Sequence, residues 1–257
     1  MSRIHLFEFE DQSWFPDIIR KGITDYLQYA ANRIDLYNSL IPVIKKGIEK
    51  SGTKRIVDLC SGGGGGTKGI LKHLNEEMAG VRLTLTDKFP NVPAFKTIAS
   101  ELHGQVDYRE DSIDATNVPE DLKGMRTMLV AFHHFRPEMA RKILADASRQ
   151  GAVIGIFEAT ERSLINFIGM LFTPLVVMLA VPFIRPFKWS RIFLTYIIPL
   201  IPLFTMWDGI VSVLRTYSTK ELDTLTASVA APGYRWETGK IVKKKGPNII
   251  YLLGYPS

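Results

Sequence analysis

Residues 56–71 read IVDLCSGGGGGTKGIL. A short apolar strand, Ile56 to Leu59, runs into the glycines 62–66 and then into a stretch with helical spacing from Thr67 to Glu77. Glycine lacks a Cβ, so the backbone can turn tightly there and lie against a ligand. The helix that follows offers unpaired N–H groups and the positive end of its dipole. This geometry suits a nucleotide at the carboxyl end of the first strand of a parallel sheet.

Working outward, residues 54–160 alternate strand and helix. The strands are expected at Arg55–Leu59, Arg82–Thr86, Val106–Arg109, Thr127–Phe132 and Ala152–Phe157, with helices near Thr67–Glu77, Ala94–Leu102 and Glu138–Gln150. Alternation at this spacing implies a parallel sheet covered by helices on both faces. After residue 208, Ser218–Val229 reads as a helix that opens with a Ser218/Glu221 capping box. Strands Tyr234–Val242 and Asn248–Tyr255 follow, joined by a turn at lysines 243–245. Before the glycine loop, Ile18–Ala31 and Ile34–Ile48 carry helical periodicity.

Three nucleotide sites use such a loop. A phosphate-binding P-loop ends in Gly-Lys-Ser/Thr, but here Thr67 precedes Lys68 and the order fails. A dinucleotide fingerprint runs through Gly64, Gly66 and Gly69, a weak match inside a glycine run. The third is carried by Asp58 at the strand end, followed by Cys60, Ser61, Gly62, Gly63 and Gly64. It resembles motif I of the class I S-adenosylmethionine-dependent methyltransferases, Asp-x-Gly-x-Gly-x-Gly, with Cys60 in place of the first glycine. The resemblance continues in order. Asp87, with Lys88 beside it, ends LTLTD, where the family places an acid on the ribose hydroxyls. Asp111 and Ser112 follow VDYRE, where the family contacts adenine. MLVAFHHFRPEMARKIL and GAVIGIFEATER resemble its fourth and fifth strands. The chain is similar to a bacterial branch of that superfamily with an apolar insertion. The resemblance implies an α/β, Rossmann-like, mostly parallel seven-stranded sheet, S-adenosyl-L-methionine as cofactor, and methyltransferase activity.

The acceptor is narrowed by absences. The sequence holds no Asn/Asp-Pro-Pro-Tyr tetrad, no Pro-Cys nucleophile, no paired-glutamate hairpin and no magnesium-type carboxylate cluster. Nucleic acid is therefore not an expected partner, nor is a metal expected. His133 and His134, after the fourth strand, and Glu158 or Glu161, after the fifth, are the candidate bases. For His133 and His134, packing beneath the cofactor is the competing role. Trp14, Phe15 and Tyr26 either cap the cofactor or pack in a core. A non-catalytic nucleotide-binding or membrane-docking relative, and a nicotinamide-dependent redox enzyme, remain alternatives.

The segment 163–207 stands apart. Ser163–Ile184 has 22 uncharged residues and Ile192–Trp207 has 16, separated by RPFKWSR (Arg185–Arg191). The first is long enough to cross the hydrocarbon of a bilayer; the second is short and interrupted by Pro199 and Pro202. Two crossings would place three cations on the far side, against the positive-inside tendency. The expectation is a structure that dips into one leaflet, with Trp189, Trp207 and the arginines near the headgroups, or else a helical lid packed on the domain. Either favours a lipophilic small molecule or lipid as acceptor. Asp208 and Arg215 stand out as polar residues that pair or face the acceptor.

The formal charge of +6 is consistent with an anionic neighbour or with simple solubility. One cysteine, Cys60, excludes an internal disulfide and a cysteine-based zinc site. No signal-peptide pattern opens the sequence, so the expected location is cytoplasmic, peripheral or monotopic at the inner face of the membrane. The expected organisation is a helical cap (1–50), the cofactor-binding core (51–162), the apolar insertion (163–207) and a helix and hairpin completing the core (208–257). The sequence does not fix the oligomeric state.

Overall fold

The computed structural model describes residues 2–243 and 246–257, so Lys244 and Lys245 of the expected turn lie outside the described residues. The chain divides into two compact units. One runs from the amino terminus to Ile34 and includes Thr160–Tyr217; the other comprises Asp35–Ala159 and Ser218–Ser257.

The second unit holds the sheet. Its strands are β1 (Arg55–Asp58), β2 (Arg82–Leu85), β3 (Val106–Tyr108), β4 (Met125–Leu129), β5 (Ile154–Glu158), β6 (Tyr234–Ile241) and β7 (Ile249–Pro256), in the order β3-β2-β1-β4-β5-β7-β6. The first five are parallel, and β7 runs antiparallel to both β5 and β6. Its helices are α2 (Ile41–Ser51), α3 (Thr67–Glu77), α4 (Val92–Glu101), α5 (Pro137–Arg149) and α10 (Thr219–Ala227); α1 (Asp17–Arg33) belongs to the other unit. Helices α2 and α3 pack on each other, as do α5 and α10. The capping box of α10 forms as the sequence implies: Ser218 Oγ accepts from the Glu221 amide at 3.3 Å, and the Glu221 carboxylate accepts from the Ser218 amide at 2.8 Å.

Two expected elements shift. Strand β4 begins two residues earlier than the sequence suggests, because Arg126 is buried within it. Its guanidinium donates to Asp146 of α5 at 2.9 Å and to Gln150 at 2.8 Å, so the charge is satisfied internally. The helix expected over Ile34–Ile48 is broken. Asp35 adopts φ 47°, a left-handed conformation that stops α1, and a 3-10 turn at Tyr37–Leu40 leads into α2.

The first unit is helical: α1 (Asp17–Arg33), α6 (Leu164–Leu171), α7 (Thr173–Ala180), a 3-10 turn at Val181–Phe183, α8 (Trp189–Tyr196) and α9 (Leu200–Arg215). Helices α1, α6, α7 and α8 all contact α9. The core gathers Phe15, Ile23, Tyr26, Val177, Val181 and Ile201. Phe15 and Tyr26 are thus core residues here, while Trp14 is exposed. Helix α9 runs unbroken through the boundary expected at residue 207, so residues 208–217 lie with the insertion. No single described helix is long and apolar enough to cross a membrane; α6 with α7 bends by 51°, and α8 with α9 by 74°.

Polar groups of this unit knit distant segments. Asp208 does not pair with Arg215. It accepts from the Phe9 and Glu10 amides at 2.7 and 3.1 Å, whereas Arg215 holds Glu8, Asp11 and the Leu6 carbonyl. Arg191, expected among headgroups, is buried: it donates to Asp25 of α1 at 2.5 Å and to the Ile184 and Pro186 carbonyls. Burial, reinforced by the nearby Asp208 and Glu8 carboxylates, pushes the Glu10 carboxyl up to about 8, although Thr24 and Arg20 oppose the rise. The folded chain therefore keeps the Glu10 proton over a range where the unfolded chain, with a value near 4.5, has lost it. The resulting stabilisation is full below that value and disappears as the pH rises towards about 8. Thermal stability should fall across that window, by at most ~1.4 kcal/mol per pH unit. Glu10→Gln should flatten the profile; an unchanged slope in pH-dependent melting would count against this.

Candidate functional site

The glycine loop leaves β1 at its carboxyl end. Three alternate positions, Cys60, Gly62 and Gly64, have φ of 60°, 53° and 67°. They are the three glycine positions of the motif this loop resembles. A left-handed backbone is the physical reason glycine is favoured there, and Cys60 adopts it with its Cβ in place. A Cβ added at Gly62 would meet nothing within 4 Å, so the bend is open on that side. The amides of Gly63, Gly65 and Gly66 make no backbone hydrogen bond among the described residues.

Asp58 is buried beneath the loop. Its carboxylate accepts from Thr127 Oγ1 at 2.7 Å and from Ser61 Oγ at 2.8 Å. Burial raises its pKa to about 6 despite these two donors, and the charge of Asp87 adds to the rise. Asp58 thus braces the turn from inside. Burial also pushes the Cys60 thiol up, with the Asp87, Asp58 and Asp114 carboxylates adding to it, so Cys60 is a neutral thiol rather than a nucleophile.

Asp87, after β2, closes the loop from the other side: Oδ2 accepts from the Gly62 amide at 2.9 Å and Oδ1 from the Phe89 amide at 2.8 Å. Ser112 donates from Oγ to the Lys88 carbonyl at 2.7 Å, and the Ile113 amide donates to the Asp87 carbonyl at 2.9 Å. The exits of β1, β2 and β3 are therefore stitched into one rim that holds Asp58, Cys60, Ser61, Gly62, Gly63, Gly64, Asp87, Lys88 and Ser112. The Asp111 side chain turns to Arg109, in a two-point contact at 2.8 and 2.9 Å. Lys88 pairs with Asp114 at 2.8 Å. That ion pair, with bonds from Thr116, lowers the Asp114 carboxyl to about 2.

Further along the same edge, β4 ends at Leu129, and Val130 takes φ 52°, rare for a β-branched residue. A 3-10 turn at Phe132–His134 follows. Glu158, the last residue of β5, reaches across to it. Its carboxylate meets the His133 amide at 2.9 Å and His133 Nδ1 at 2.8 Å, all buried. The His134 ring lies 4.2 Å from that of His133 and is half-buried. Glu158 is thus a positioner of His133.

Three residues of this edge escape a reading of the sequence. Tyr37 places its ring where a Cβ on Gly66 would fall, 2.7 Å from that position. Burial and the Asp58 charge raise its phenol to about 12. Val130 and Asp114 are the others. Nothing in local composition marks any of them: Tyr37 packs against Gly66 and Gly69, the Val130 amide donates to the Phe157 carbonyl of β5, and Asp114 pairs with Lys88. Tyr37, Leu40, Leu129, Val130, Phe157 and Ile249 line a wholly apolar recess there.

No protein-family model matches the sequence, and no curated protein does. Solved structures do match. The O-methyltransferase NcsB1 of neocarzinostatin biosynthesis, in complex with S-adenosylmethionine and 2-hydroxy-5-methyl naphthoic acid, aligns with a TM-score of 0.54 at 14% identity, over 94% of this chain and 59% of that one. Human N-acetylserotonin methyltransferase in complex with S-adenosylmethionine aligns at 0.50 and 15%, over 94% and 56%. The pyocyanin biosynthetic protein PhzM aligns at 0.50 and 16%, over 87% and 55%. This chain spans just over half the length of these proteins. With the sheet order and the alternating left-handed positions after β1, these likenesses establish that the chain has the class I methyltransferase fold.

Proposed function

We propose that this chain transfers a methyl group from S-adenosyl-L-methionine to a lipophilic small molecule or lipid, working at a membrane surface. The observation that carries the donor assignment is the open, left-handed bend at Gly62, braced by Asp58 and tied to Asp87. In this reading the backbone from Cys60 to Gly64 receives the methionine end, and Asp87 and Lys88 receive the ribose. Ser112 lies beside adenine, and Asp111 contributes only by fixing the strand exit through Arg109. When bound, the sulfonium would supply an electrophilic methyl carbon with a neutral thioether as its leaving group. His133, held by Glu158, would accept the proton of a hydroxyl acceptor; His134 shares the turn. The exposed apolar helices of the other unit support work at a membrane.

Titration calorimetry with S-adenosylmethionine tests the donor. Binding is expected, and Asp87→Ala should weaken it by about 1.5–3 kcal/mol, the range for a lost hydrogen bond to a charged group. No heat at millimolar donor would overturn the assignment. Binding of a nicotinamide cofactor instead would redirect it to redox chemistry.

A further inference from the structure

The helix α6, LINFIGML, has no buried residue, although every side chain but Asn166 is apolar or glycine. Helix α7 buries only Val177. A helix that is apolar all round is expected inside a core or a bilayer, and this pair leaves Ile165 82% and Leu179 65% exposed. Phe183, Trp189 and Ile197 are exposed as well. Single exposed apolar side chains are ordinary, but so many within one stretch are not.

Two features identify the occupant. First, backbone hydrogen bonds span the bend between α6 and α7: the Phe172 amide donates to the Gly169 carbonyl at 3.1 Å, and the Val176 amide to the Phe172 carbonyl at 3.2 Å. Only such internally satisfied backbone enters hydrocarbon without a large penalty. Second, the charges are arranged for a lipid surface. No acid occurs from Arg162 to Trp207. Lys188 and Arg191 share the single Asp25 carboxylate within the unit, at 2.8 and 2.5 Å, which offsets one of their two charges. Arg185 stays exposed between Phe183 and Trp189, the aromatic-and-cation flank of an interfacial segment.

We propose that the α6–α8 face inserts shallowly into the acyl region of a single leaflet, and that apolar burial rather than charge drives the insertion. This deepens the membrane part of the proposed function and is independent of methyl transfer, so donor calorimetry separates a failure here from a failure there. Sedimentation of the full chain with vesicles of pure phosphatidylcholine, and with vesicles containing one-third phosphatidylglycerol, provides the test. The protein should pellet with both, within about twofold of each other, and raised salt should change little. The double variant Ile165→Glu with Leu179→Glu should lose at least about tenfold in partitioning. A circular-dichroism spectrum and a cooperative melt matching those of the unaltered chain would show that it is folded. Pelleting with anionic vesicles alone, abolished by salt, would overturn the proposal in favour of electrostatic adsorption. Failure to pellet with either would also overturn it, as would a dimer in solution that the double variant dissociates, since the face would then be covered by a second copy.

Discussion

Replacing Asp146 with alanine should destabilise the sheet-bearing unit by about 3–5 kcal/mol, the usual cost of removing one partner from a buried ion pair. Arg126 and Asp146 are each 2% exposed, on β4 and α5 respectively. Besides Arg126, the Asp146 carboxylate accepts from the Val118 amide at 3.3 Å and from Gln150 and Arg149 at 3.1 and 2.6 Å. Burial lowers the Arg126 pKa while Asp146 opposes that fall, so the ionised guanidinium depends on its partner. Alanine at 146 leaves the cation with Gln150 alone. Arg126→Met combined with Asp146→Leu removes both charges and should recover part of the loss, because an apolar pair needs no desolvation although the Val118 amide and Gln150 lose their acceptor. Urea unfolding reads both effects as a shifted midpoint at unchanged slope. A loss below about 1 kcal/mol for the single variant would mean that the pair contributes little.

The second large effect is on chemistry. His133→Ala should lower kcat for a hydroxyl acceptor by about 10²–10⁴, the range for a positioned general base. Donor affinity should not change, because the rim from β1 to β3 does not involve His133. Glu158→Gln retains a carbonyl to accept from the His133 amide but removes the negative charge beside the ring. It should lower kcat by a smaller factor, with KM little changed, and exogenous imidazole should partly rescue His133→Ala but not Glu158→Gln. A merely structural histidine would lower the melting temperature without this split. Full kcat in His133→Ala would remove the residue from the mechanism, and an acceptor with a free lone pair and no proton to lose would be the next candidate.

Much of the site was legible because its logic is local. The strand at Ile56, the glycine run and the helix at Thr67 follow one another within a single turn of chain. The positions of Asp87 and Ser112 follow from counting strand ends. The pentaglycine itself is degenerate: any of its residues can turn left-handed, and the sequence does not choose Gly62 and Gly64 with Cys60 as their third partner. That choice comes from Asp87 holding the Gly62 amide and Asp58 bracing Ser61, contacts 25 and 3 residues away. Asp111 was legible as a strand-end acid, but not as the partner of Arg109, which leaves Ser112 to face the rim. Arg126 falls outside the strand expected from Thr127 for a similar reason. A charge in a strand looks like a strand end until its acid, 20 residues on, is found buried beside it.

What the sequence by itself determined is the alternation of strand and helix and the place of the glycine loop, because periodicity and backbone freedom are properties of neighbours in the chain. It also determined that one stretch would be unusually apolar. Tertiary structure alone decided that this stretch breaks into short bent helices with an uncovered face, that Asp25 pairs with two of its three cations, and that Glu158 grips His133. Each depends on which distant groups share a buried space, where an unmatched charge or polar atom is most costly, and no local pattern records that.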